Sequence, residues 1–343
     1  MSRLLAPLQL PYALALAAKN RAYDRGWLKT HRLAWPVVSV GNLSVGGAGK
    51  TPVVIELAEL LQARGFGVDV LSRGYGRVSA ARVEQVDTTG DARRFGDEPL
   101  LIARATGASV FVGASRYEAG LFAERGVTMH GPDSDKQLRV HLLDDGFQHR
   151  QLARSVNLVV MHPSDSESRL LPAGRLREPL SALHRVDALL LREDDQVSEP
   201  ALQRVGMRKP VFRLCRELAL PAINGAAFAF CGIAHPDEFF RQLRARGVEL
   251  AGTMAYRDHH RFADADVAAI AAAVRGAGAV LTTEKDLIRL SAEARARIAQ
   301  AAPLLAVGLR VRFSDEEKLA DWLTESLARR GADAGGALPA MRK

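Results

Sequence analysis

The segment GNLSVGGAGKTP, residues 41–52, stands between the apolar run WPVVSV and the helix-like pattern VVIELAELLQARG. A P-loop, the phosphate-binding turn of many nucleotide-binding proteins, has the form Gly-x-x-x-x-Gly-Lys-Ser/Thr and connects a strand to a helix. Residues 44–51 match the end of this form and its context, although Ser44 replaces the first glycine. The segment therefore predicts a nucleotide-phosphate site in an α/β fold.

The chemistry of such a loop assigns roles to its residues. Successive backbone N–H groups turn inward around an anion, and the helix that follows adds the partial positive charge of its first turn. Lys50 is expected to reach the terminal phosphates, and the hydroxyl of Thr51 to ligate Mg²⁺. A glycine-rich turn with an incidental lysine is the alternative, and the flanking strand and helix favour the nucleotide. The residues expected at the nucleotide are Ser44, Val45, Gly46, Gly47, Ala48, Gly49, Lys50 and Thr51.

An acidic segment further along supplies carboxylates for the metal. RVHLLDDGFQH, residues 139–149, is an apolar strand that ends in Asp144 and Asp145, as the Walker-B strand of P-loop enzymes does. Two neighbouring aspartates at a strand end direct one carboxylate toward the metal and the other toward the adjoining cleft. A solvated Asp-Asp-Gly turn is the alternative, but the apolar residues before it and the upstream P-loop favour the metal site.

Short apolar runs alternate with helical patterns along most of the 343 residues. Wholly apolar strands separated by helices are typical of a parallel sheet with helices on both faces. After KPVFRLCRELALPAI, residues 209–223, the alternation begins again, and we expect a second, smaller α/β unit. The expected organisation is an N-terminal amphipathic helix in residues 1–35, a P-loop domain in 36–220, a smaller α/β domain that contributes to a cleft in 221–330, and a disordered tail in 331–343.

Composition limits the class of protein. No apolar run approaches the roughly 20 residues that a membrane-spanning helix needs. Two cysteines, Cys215 and Cys231, predict neither a disulfide framework nor a structural zinc site. The net charge of +8 suits an anionic partner, which could be nucleic acid, an anionic membrane surface or a phosphorylated substrate. A generally arginine-rich composition explains the charge equally well, so charge alone does not choose.

The segment PYALALAAKNRAYDRGWLKTHR, residues 11–32, predicts a helix that begins near Pro11. Apolar, aromatic and basic side chains on such a helix suit a membrane interface. A helix packed against its own domain explains the pattern equally well, and the residues by themselves do not decide. The residues that recur on one side at spacings of three and four are Tyr12, Leu16, Lys19, Tyr23 and Trp27, and the cations beside them are Arg21, Arg25, Lys29 and Arg32.

Eight short motifs follow one another: VGNLSVGGAGKTP, SRGYGR, GDEP, LDDGFQHR, LPAGRLREP, FCGIAHPDEFF, YRDHHRF and LTTEKD. Together they resemble the tetraacyldisaccharide 4′-kinase family, which phosphorylates the 4′-hydroxyl of an acylated glucosamine disaccharide 1-phosphate in lipid A synthesis. The resemblance extends from about residue 10 to about residue 315. In this family the loop typically has a non-glycine residue where Ser44 stands.

The resemblance implies a kinase that uses ATP and Mg²⁺, with two α/β domains and a site in the cleft between them. Lys50 and the loop amides are then expected to bind the ATP phosphates. Thr51 and Asp145 are expected to hold Mg²⁺, with Glu178 of GRLREP as a weaker candidate. Asp144 is implied to lie beside the incoming hydroxyl or the metal.

The resemblance also implies an aspartate and a histidine in contact, Asp97 of GDEP and His259 of YRDHHRF, that receive the proton of the sugar hydroxyl. Which of the two takes the proton is left open. Asp97 could instead cap a helix that begins near Pro99, His259 could be a solvated loop residue, and His260 competes for the histidine role. The residues implied for the lipid headgroup and its 1-phosphate are Arg73, Tyr75, Arg116, Gln148, His149, Arg175 and Arg177.

The expected partners are the acylated disaccharide 1-phosphate lipid and the inner-membrane surface, with peripheral attachment on the cytoplasmic side. No nucleic acid and no obligate protein partner are expected. A regulatory GTPase is disfavoured because TTEKD, residues 282–286, has the letters of a guanine-binding motif in the wrong order. A nucleic-acid-binding ATPase lacks a recognition motif, and a membrane-surface scaffold leaves Asp97, Asp144, Asp145 and His259 unexplained.

Overall fold

A computed structural model describes residues 3–46, 49–128, 138–194 and 209–333. The strands are β1 (Val37–Asn42), β2 (Gly67–Ser72), β3 (Val83–Gln85), β4 (Ser109–Gly113), β5 (Arg139–Asp144), β6 (Val156–Val160), β7 (Ala188–Arg192), β8 (Val211–Ala219), β9 (Ala227–Cys231), β10 (Leu250–Ala255), β11 (Ala279–Thr283) and β12 (Leu304–Phe313). The α-helices are α1 (Gln9–Asp24), α2 (Lys50–Ala63), α3 (Ala92–Phe95), α4 (Asp97–Thr106), α5 (Arg116–Thr128), α6 (Pro236–Ala245), α7 (Asp264–Ala273), α8 (Glu284–Arg289), α9 (Ala292–Ala299) and α10 (Glu316–Asp333). Short 3-10 helices cover Arg3–Leu8, Pro163–Asp165 and Leu180–Arg185.

The described strands form one sheet in the order β10-β9-β11-β12-β8-β7-β6-β1-β5-β2-β4-β3. All neighbours pair in parallel except β3 with β4 and β8 with β12. Strands β1 and β6 are buried along their whole length, as expected for a sheet covered on both faces. The expected α/β fold with a large, mostly parallel sheet is confirmed.

The long strand β12 decides where the site lies. Its first part pairs in parallel with β11, up to Thr283 opposite Val307. Its second part pairs antiparallel with β8, from Ala219 opposite Gly308 onward. The carboxyl ends of β8 and β11 therefore meet at the middle of β12. Because ligands of parallel α/β sheets bind at the carboxyl ends of strands, the two parallel halves of this sheet face one common cleft.

Helix α2 begins at Lys50, directly after the phosphate loop. Its buried residues Val53, Leu57 and Leu61 recur every four positions and cover the sheet. The last helix, α10, buries Leu319 and Leu323 in the same core cluster, although it follows the strands of the C-terminal half. The chain thus returns to the P-loop half at its end, which ties the two halves together.

The domain limits near residues 35 and 220 stay predictions. Pairing of β12 with β8 continues the sheet across position 220, so the two units share one sheet. Helix α10 extends through Asp333, into the expected tail of 331–343, and residues 334–343 lie outside the described part of the chain.

None of the residues of helix α1 is buried. Two of its predicted stripe residues face the protein: the hydroxyl of Tyr12 donates to the carbonyl of Arg177 at 2.8 Å, and the guanidinium of Arg150 lies over the ring of Tyr23. Leu10 and Leu14, one turn apart, are 67% and 62% exposed. Tyr12 and Tyr23 therefore hold α1 on the body, and a separate leucine face is left uncovered. Trp27, the last residue of the predicted stripe, lies beyond the end of the helix and is exposed. Within the described residues, no helix has the length and apolar character needed to cross a membrane.

Candidate active site

The phosphate loop begins where β1 ends. The side-chain amide of Asn42, the last residue of β1, donates to the carbonyl of Ser44 at 2.7 Å, and its oxygen accepts a hydrogen bond from Lys50 Nζ at 3.0 Å. The amide N–H of Val45 donates to the carbonyl of Arg175 at 2.8 Å. That N–H is therefore engaged within the protein, and Asn42 holds the lysine over the loop.

Glycine is required at two positions of this loop. Gly46 and Gly49 have φ angles of +110° and +68°, which side chains other than glycine rarely adopt. A Cβ atom on Gly49 would also lie 2.4 Å from a guanidinium nitrogen of Arg216. Gly47 and Ala48 lie outside the described residues. At Gly46 and Gly49 the loop thus follows a backbone path that other residues would adopt only with strain.

Asp144 ends β5 and is buried. Ser72, at the end of the neighbouring strand β2, donates its hydroxyl to Oδ2 of Asp144 at 3.1 Å. Burial, followed by the negative charges of Glu98 and Asp145, raises the pKa of Asp144 to about 7, against the opposing effect of Lys50. The ionised form of Asp144 is therefore disfavoured, first by its burial and then by the two neighbouring carboxylates.

Asp145 follows with φ of +50° and has a different environment. Its Oδ1 lies 3.2 Å from Lys50 Nζ, and its Oδ2 accepts from Arg177 at 2.9 Å. Burial raises the pKa of Asp145, but Lys50 and Arg177 outweigh burial and hold the pKa below its ordinary value. Asp145 is the carboxylate that stays ionised, next to an Asp144 whose ionisation is suppressed.

Asp145 and Thr51 offer the small number of protein oxygens that a magnesium ion needs. Mg²⁺ uses one or two carboxylates together with substrate phosphates and waters, and so needs no cage made by the protein alone. Among the described residues, no three His, Cys, Asp or Glu side chains form such a cage. Oδ1 of Asp145 is buried, forms an ion pair with Lys50 and accepts no hydrogen bond from the described residues. It therefore has a lone pair available for a cation. Thr51, the second residue of helix α2, is buried beside the same loop.

Glu178 lies elsewhere. Its buried carboxylate contacts the guanidinium of Arg185 and accepts from the side-chain amide of Asn20 at 3.2 Å. The backbone carbonyl of the preceding residue, Arg177, accepts a hydrogen bond from the hydroxyl of Tyr12. Glu178 therefore helps to seat helix α1 on the protein body, and it does not line the cavity that holds Asp144 and Asp145.

The Asp97–His259 pair forms across the cleft. Oδ2 of Asp97, the first residue of α4, lies 3.3 Å from Nδ1 of His259, which belongs to the loop between β10 and α7. Burial raises the pKa of Asp97, but the hydrogen bond with His259 and the charges of Arg289 and Lys285 bring it well below the usual range. The same hydrogen bond raises the pKa of His259 above its ordinary value. The contact implied by the sequence resemblance is thus present.

The alternatives for these residues can be compared with the geometry. Helix α4 begins at Asp97 with Gly96 at its N-cap position, so Asp97 is not the cap. Its Oδ1 accepts the N–H of Glu98 at 3.0 Å, and its Oδ2 reaches His259. His260 is occupied: its Nε2 lies 2.8 Å from Oδ2 of Asp266, and its ring stacks on Tyr256. His259 is therefore the histidine that faces the cleft.

Backbone strain marks two of the candidate residues. In the described part of the chain, Asp145 and His259 are the non-glycine residues with positive φ, at +50° and +122°. Such conformations cost about 1–3 kcal/mol and persist where surrounding contacts enforce them, often at functional sites. One strained residue lies on each side of the cleft.

A cavity of about 560 Å³ collects most of the predicted site residues. Gly49 and Thr51 line the neighbouring cavity. Among the predicted residues that the structure describes, those that line neither are Ser44, Val45, Arg175 and Glu178. Gly46 and Lys50 line both cavities, so one ligand can extend between them past the lysine. The predicted residues in the large cavity are Gly46, Lys50, Arg73, Tyr75, Asp97, Arg116, Asp144, Asp145, Gln148, His149, Arg177 and His259.

The lining of this cavity also contains basic residues. Arg116, the first residue of α5, is buried, and its Nε has no hydrogen-bond partner among the described residues. Burial, followed by the charges of Arg116 and Arg154, lowers the pKa of His149 to about 4, so this imidazole is neutral at physiological pH. A buried guanidinium with capacity to donate suits an anionic ligand group.

The second cavity, of about 250 Å³, is largely apolar and lies beside helix α2. It is walled by residues from both halves of the sheet, among them Ile55, Leu218, Phe239, Val307 and Leu309. Ligand pockets are mostly apolar with a few polar groups, and this cavity joins a phosphate-binding turn.

Sequence reasoning missed four polar residues of the cleft. Lys285 Nζ lies 2.5 Å from Glu98 Oε1, Arg289 contacts Asp97, and Ser72 contacts Asp144. Glu98 and Lys285 stand inside GDEP and LTTEKD, so a signal was present but no role was assigned. Ser72 and Arg289 had no signal beyond lying in or next to a motif.

The segment TTEKD has a structural task. The hydroxyl of Thr283 caps helix α8 by accepting the N–H of Asp286 at 3.1 Å. The buried carboxylate of Asp286 in turn accepts the N–H of Gly232 at 2.9 Å. These contacts account for the threonine and aspartate without any contact to a base.

Comparison with known proteins points to one family. The profile LpxK, described as tetraacyldisaccharide-1-P 4′-kinase, matches residues 1–328. A tetraacyldisaccharide 4′-kinase of Koribacter versatilis is 41% identical over 336 residues, covering 94% of this chain and 99% of that protein. One of Geobacter metallireducens is 40% identical over 314 residues, covering 84% and 88%. The crystal structure of Aquifex aeolicus LpxK in complex with ATP has a TM-score of 0.74 and 32% identity, covering 94% of this chain and 98% of that one.

Proposed function

The chain belongs to the tetraacyldisaccharide 4′-kinase family, and we propose that its phosphoryl transfer takes place in the cleft between the phosphate loop and the Asp97–His259 pair. The chain is an ATP-dependent phosphotransferase of lipid A synthesis, which acts on an acylated disaccharide 1-phosphate. The observation that carries the proposed site is geometric. Lys50 and the Asp97–His259 pair line one cavity, to which the P-loop half contributes Lys50 and Asp97 and the C-terminal half contributes His259.

ATP binds with its triphosphate along the phosphate loop and its base in the smaller apolar cavity. Lys50 lines both cavities, so it can contact the phosphates at the point where the nucleotide meets the acceptor. The residues proposed to contact ATP are those predicted from the sequence, Ser44, Val45, Gly46, Gly47, Ala48, Gly49, Lys50 and Thr51. Since the Val45 N–H donates to Arg175, that residue contributes through its position in the turn and not through its amide.

Thr51 and Asp145 are the residues proposed to hold Mg²⁺, which when bound offsets the charge of the phosphate oxygens. A cation bound here would favour the ionised form of Asp144, whose pKa is raised by burial and by neighbouring carboxylates. Asp144 then faces the metal or the incoming hydroxyl. Glu178, expected from the sequence as a weaker metal candidate, is not proposed here, because its carboxylate is engaged by Arg185 and it does not line the cavity of Asp144 and Asp145.

The headgroup of the lipid occupies the larger cavity, with its 4′-hydroxyl toward Asp97 and His259. The hydroxyl loses its proton to this pair as it attacks the terminal phosphate. Arg73, Arg116 and Arg177 are the candidate donors to the 1-phosphate, since guanidinium groups donate paired hydrogen bonds to phosphate. Tyr75, Gln148 and His149 complete the proposed headgroup site.

Helix α1 is proposed to lie in the membrane interface on the cytoplasmic side of the inner membrane. Its support is the exposed leucine face formed by Leu10 and Leu14, together with Trp27, which is also exposed. The interface presents the acylated substrate to the cleft, because α1 is seated next to Arg177 through Tyr12.

The decisive experiment is transfer of labelled γ-phosphate from ATP to tetraacyldisaccharide 1-phosphate, with and without Mg²⁺. The expected result is Mg²⁺-dependent labelling of the lipid that is lost in Asp97→Asn. Labelling that survives this substitution unchanged would remove the pair from the reaction. Nucleotide hydrolysis that does not depend on the lipid would indicate a regulatory P-loop ATPase instead.

A further inference from the structure

Arg289, the last residue of α8, occupies the centre of the Asp97–His259 contact. Its side chain is only 7% exposed. Its Nε donates to Oδ2 of Asp97 at 2.8 Å, and its Nη2 contacts the same oxygen and lies 2.8 Å from Nδ1 of His259. Its Nη1 donates to Oδ1 of Asp286 and to the carbonyl of Gly232, each at 2.8 Å. One guanidinium thus joins both members of the pair to the strand-end loop after β9.

These contacts connect parts of the chain that are far apart in sequence. Asp97 stands on α4 in the P-loop half, whereas His259 and Gly232 belong to the C-terminal half. The residues after Gly232, Ile233 and Ala234, line both cavities. A side chain that contacts all of these segments can set the geometry of the pair and of the cleft wall together.

We propose that Arg289 is a positioning residue for phosphoryl transfer, which orients Asp97 and His259 toward the acceptor and makes their contact depend on the docking of α8 against α4. The proposal rests on the proposed roles of Asp97 and His259. Arg289 itself acts through these two side chains and is not assigned a contact with substrate.

The contact with Nδ1 gives Arg289 a role that a simple ion pair lacks. An N–H of Arg289 can donate to Nδ1 of His259 only when this nitrogen carries no proton, and the neutral imidazole then has its proton on Nε2. When Nδ1 is protonated, it donates to Asp97 instead, 3.3 Å away. Arg289 and Asp97 are alternative partners of one nitrogen, so the guanidinium influences both the tautomer and the protonation of His259.

A purely structural role is less suited to these contacts. The same two helices are also joined by Lys285 and Glu98 at 2.5 Å, so docking of α8 on α4 has a second ion pair. Loss of Arg289 removes the fork that holds Asp97 and leaves that second pair in place. The effect on the reaction is therefore expected to exceed the effect on folding.

The positive charge of Arg289 affects the pH profile of kcat/KM, which a purely structural role would not change. The groups that face Asp97 are Arg289, Lys285 and His259, with Glu98 next to it on α4, and His259 also faces Asp258. The guanidinium of Arg289 lowers the pKa of both Asp97 and His259. Without that charge both pKa values rise, so the acidic limb of the profile of kcat/KM against pH moves to higher pH.

The experiment compares Arg289→Gln and Arg289→Lys with the unaltered protein in the lipid kinase assay. We expect kcat to fall on the order of 10²-fold in both variants because the reacting groups lose their alignment, while ATP affinity stays the same. The acidic limb moves to higher pH in Arg289→Gln and stays in place in Arg289→Lys, which keeps the charge. Arg64→Gln is the matched control, since it removes an exposed ion pair with Asp321 remote from the cleft.

The outcomes separate the inference from the proposed function. A kcat within twofold of the unaltered protein and an unmoved acidic limb in Arg289→Gln overturn the positioning role. A fall in Tm with unchanged kcat and pH profile assigns Arg289 to folding alone, which also overturns it. If Arg289→Gln does not fold, an unchanged kcat in Arg289→Lys has the same meaning. Full activity of Asp97→Asn and His259→Ala, in contrast, contradicts the roles of the pair itself.

Discussion

Oδ2 of Asp97 and Nδ1 of His259 lie 3.3 Å apart, although Asp97 opens a helix of the P-loop half and His259 lies in a loop of the C-terminal half. The contact exists because β12 pairs with β11 along one part and with β8 along the other, which turns two sets of strand ends toward each other. Chemistry assembled in this way depends on both halves, and the predictions below separate the contributions.

The first prediction concerns the pair itself. Asp97→Asn and His259→Ala are each expected to reduce kcat by about 10²–10⁴-fold, the range by which a positioned acid–base group accelerates a reaction. Binding of ATP should be unchanged, because neither residue lines the apolar cavity. Steady-state kinetics and calorimetric titration with ATP measure the two effects. His260→Ala, whose ring pairs with Asp266, is the control and should lose far less activity.

A second prediction concerns Asp144 and pH. Its folded-state pKa of about 7 lies above its ordinary value of 3.8, so the folded protein holds a proton that the unfolded chain releases. The resulting stability is fully present below pH 3.8 and is lost as pH rises through about 7. Because asparagine does not ionise, Asp144→Asn does not lose stability in this pH range. Without nucleotide, we expect a Tm at least about 2 °C higher than that of the unaltered protein at pH 8, and no difference near pH 4.

Thermal unfolding at several pH values checks this expectation. Asp321→Asn, an exposed aspartate of α10, is the control and should show no such dependence on pH. A Tm of Asp144→Asn below that of the unaltered protein at pH 8 contradicts the expectation that ionised Asp144 destabilises the fold. Activity of the variant should be lost even though the fold becomes more stable, which is typical of groups kept for function.

Lys50 provides a third prediction. Lys50→Ala should lower kcat/KM by at least 10²-fold, on the order of the loss seen when one charge-stabilising donor is removed from an active site. Affinity for ATP should also fall, since the ammonium is held over the loop by Asn42. Kinetics and titration with ATP measure both. Lys318→Ala, on the exposed start of α10, is the control. An unchanged affinity for ATP in Lys50→Ala argues against binding of the ATP phosphates by this loop.

The fourth prediction tests the exposed face of α1. Leu10→Glu combined with Leu14→Glu should reduce partitioning onto vesicles that contain anionic lipid by at least about tenfold, because each buried leucine contributes roughly 1.5–3 kcal/mol. Transfer to detergent-dispersed substrate should be nearly normal, since the cleft is unaltered. Val211→Glu, an apolar residue 39% exposed at the start of β8, is the control for added negative charge. Equal partitioning of all three proteins rules out membrane binding through this face.

Much of the candidate site could be predicted because it is local. A strand that ends in glycines and a lysine, and another that ends in two aspartates, bring their polar groups to one edge of a parallel sheet whatever the rest of the chain does. Lys50 and Asp145, which follow β1 and β5, are 3.2 Å apart.

The face of α1 could not be assigned in the same way. Periodicity placed Tyr12 and Tyr23 on one side, and that side contacts Arg177 and Arg150 of the protein body. A helix that touches its own domain on one side and is exposed on the other has two faces with apolar residues. Spacing alone identifies a face but does not say what covers it.

The amino-acid order by itself determined the α/β class, the phosphate loop and the family, because each depends on propensity, spacing and side-chain type within short stretches. The tertiary structure alone decided that Arg289 reaches Asp97 and His259, and that Glu178 turns toward Arg185. Those choices depend on which distant surfaces pack together. Packing is fixed by burial and charge summed over the whole chain, and no short segment contains that information.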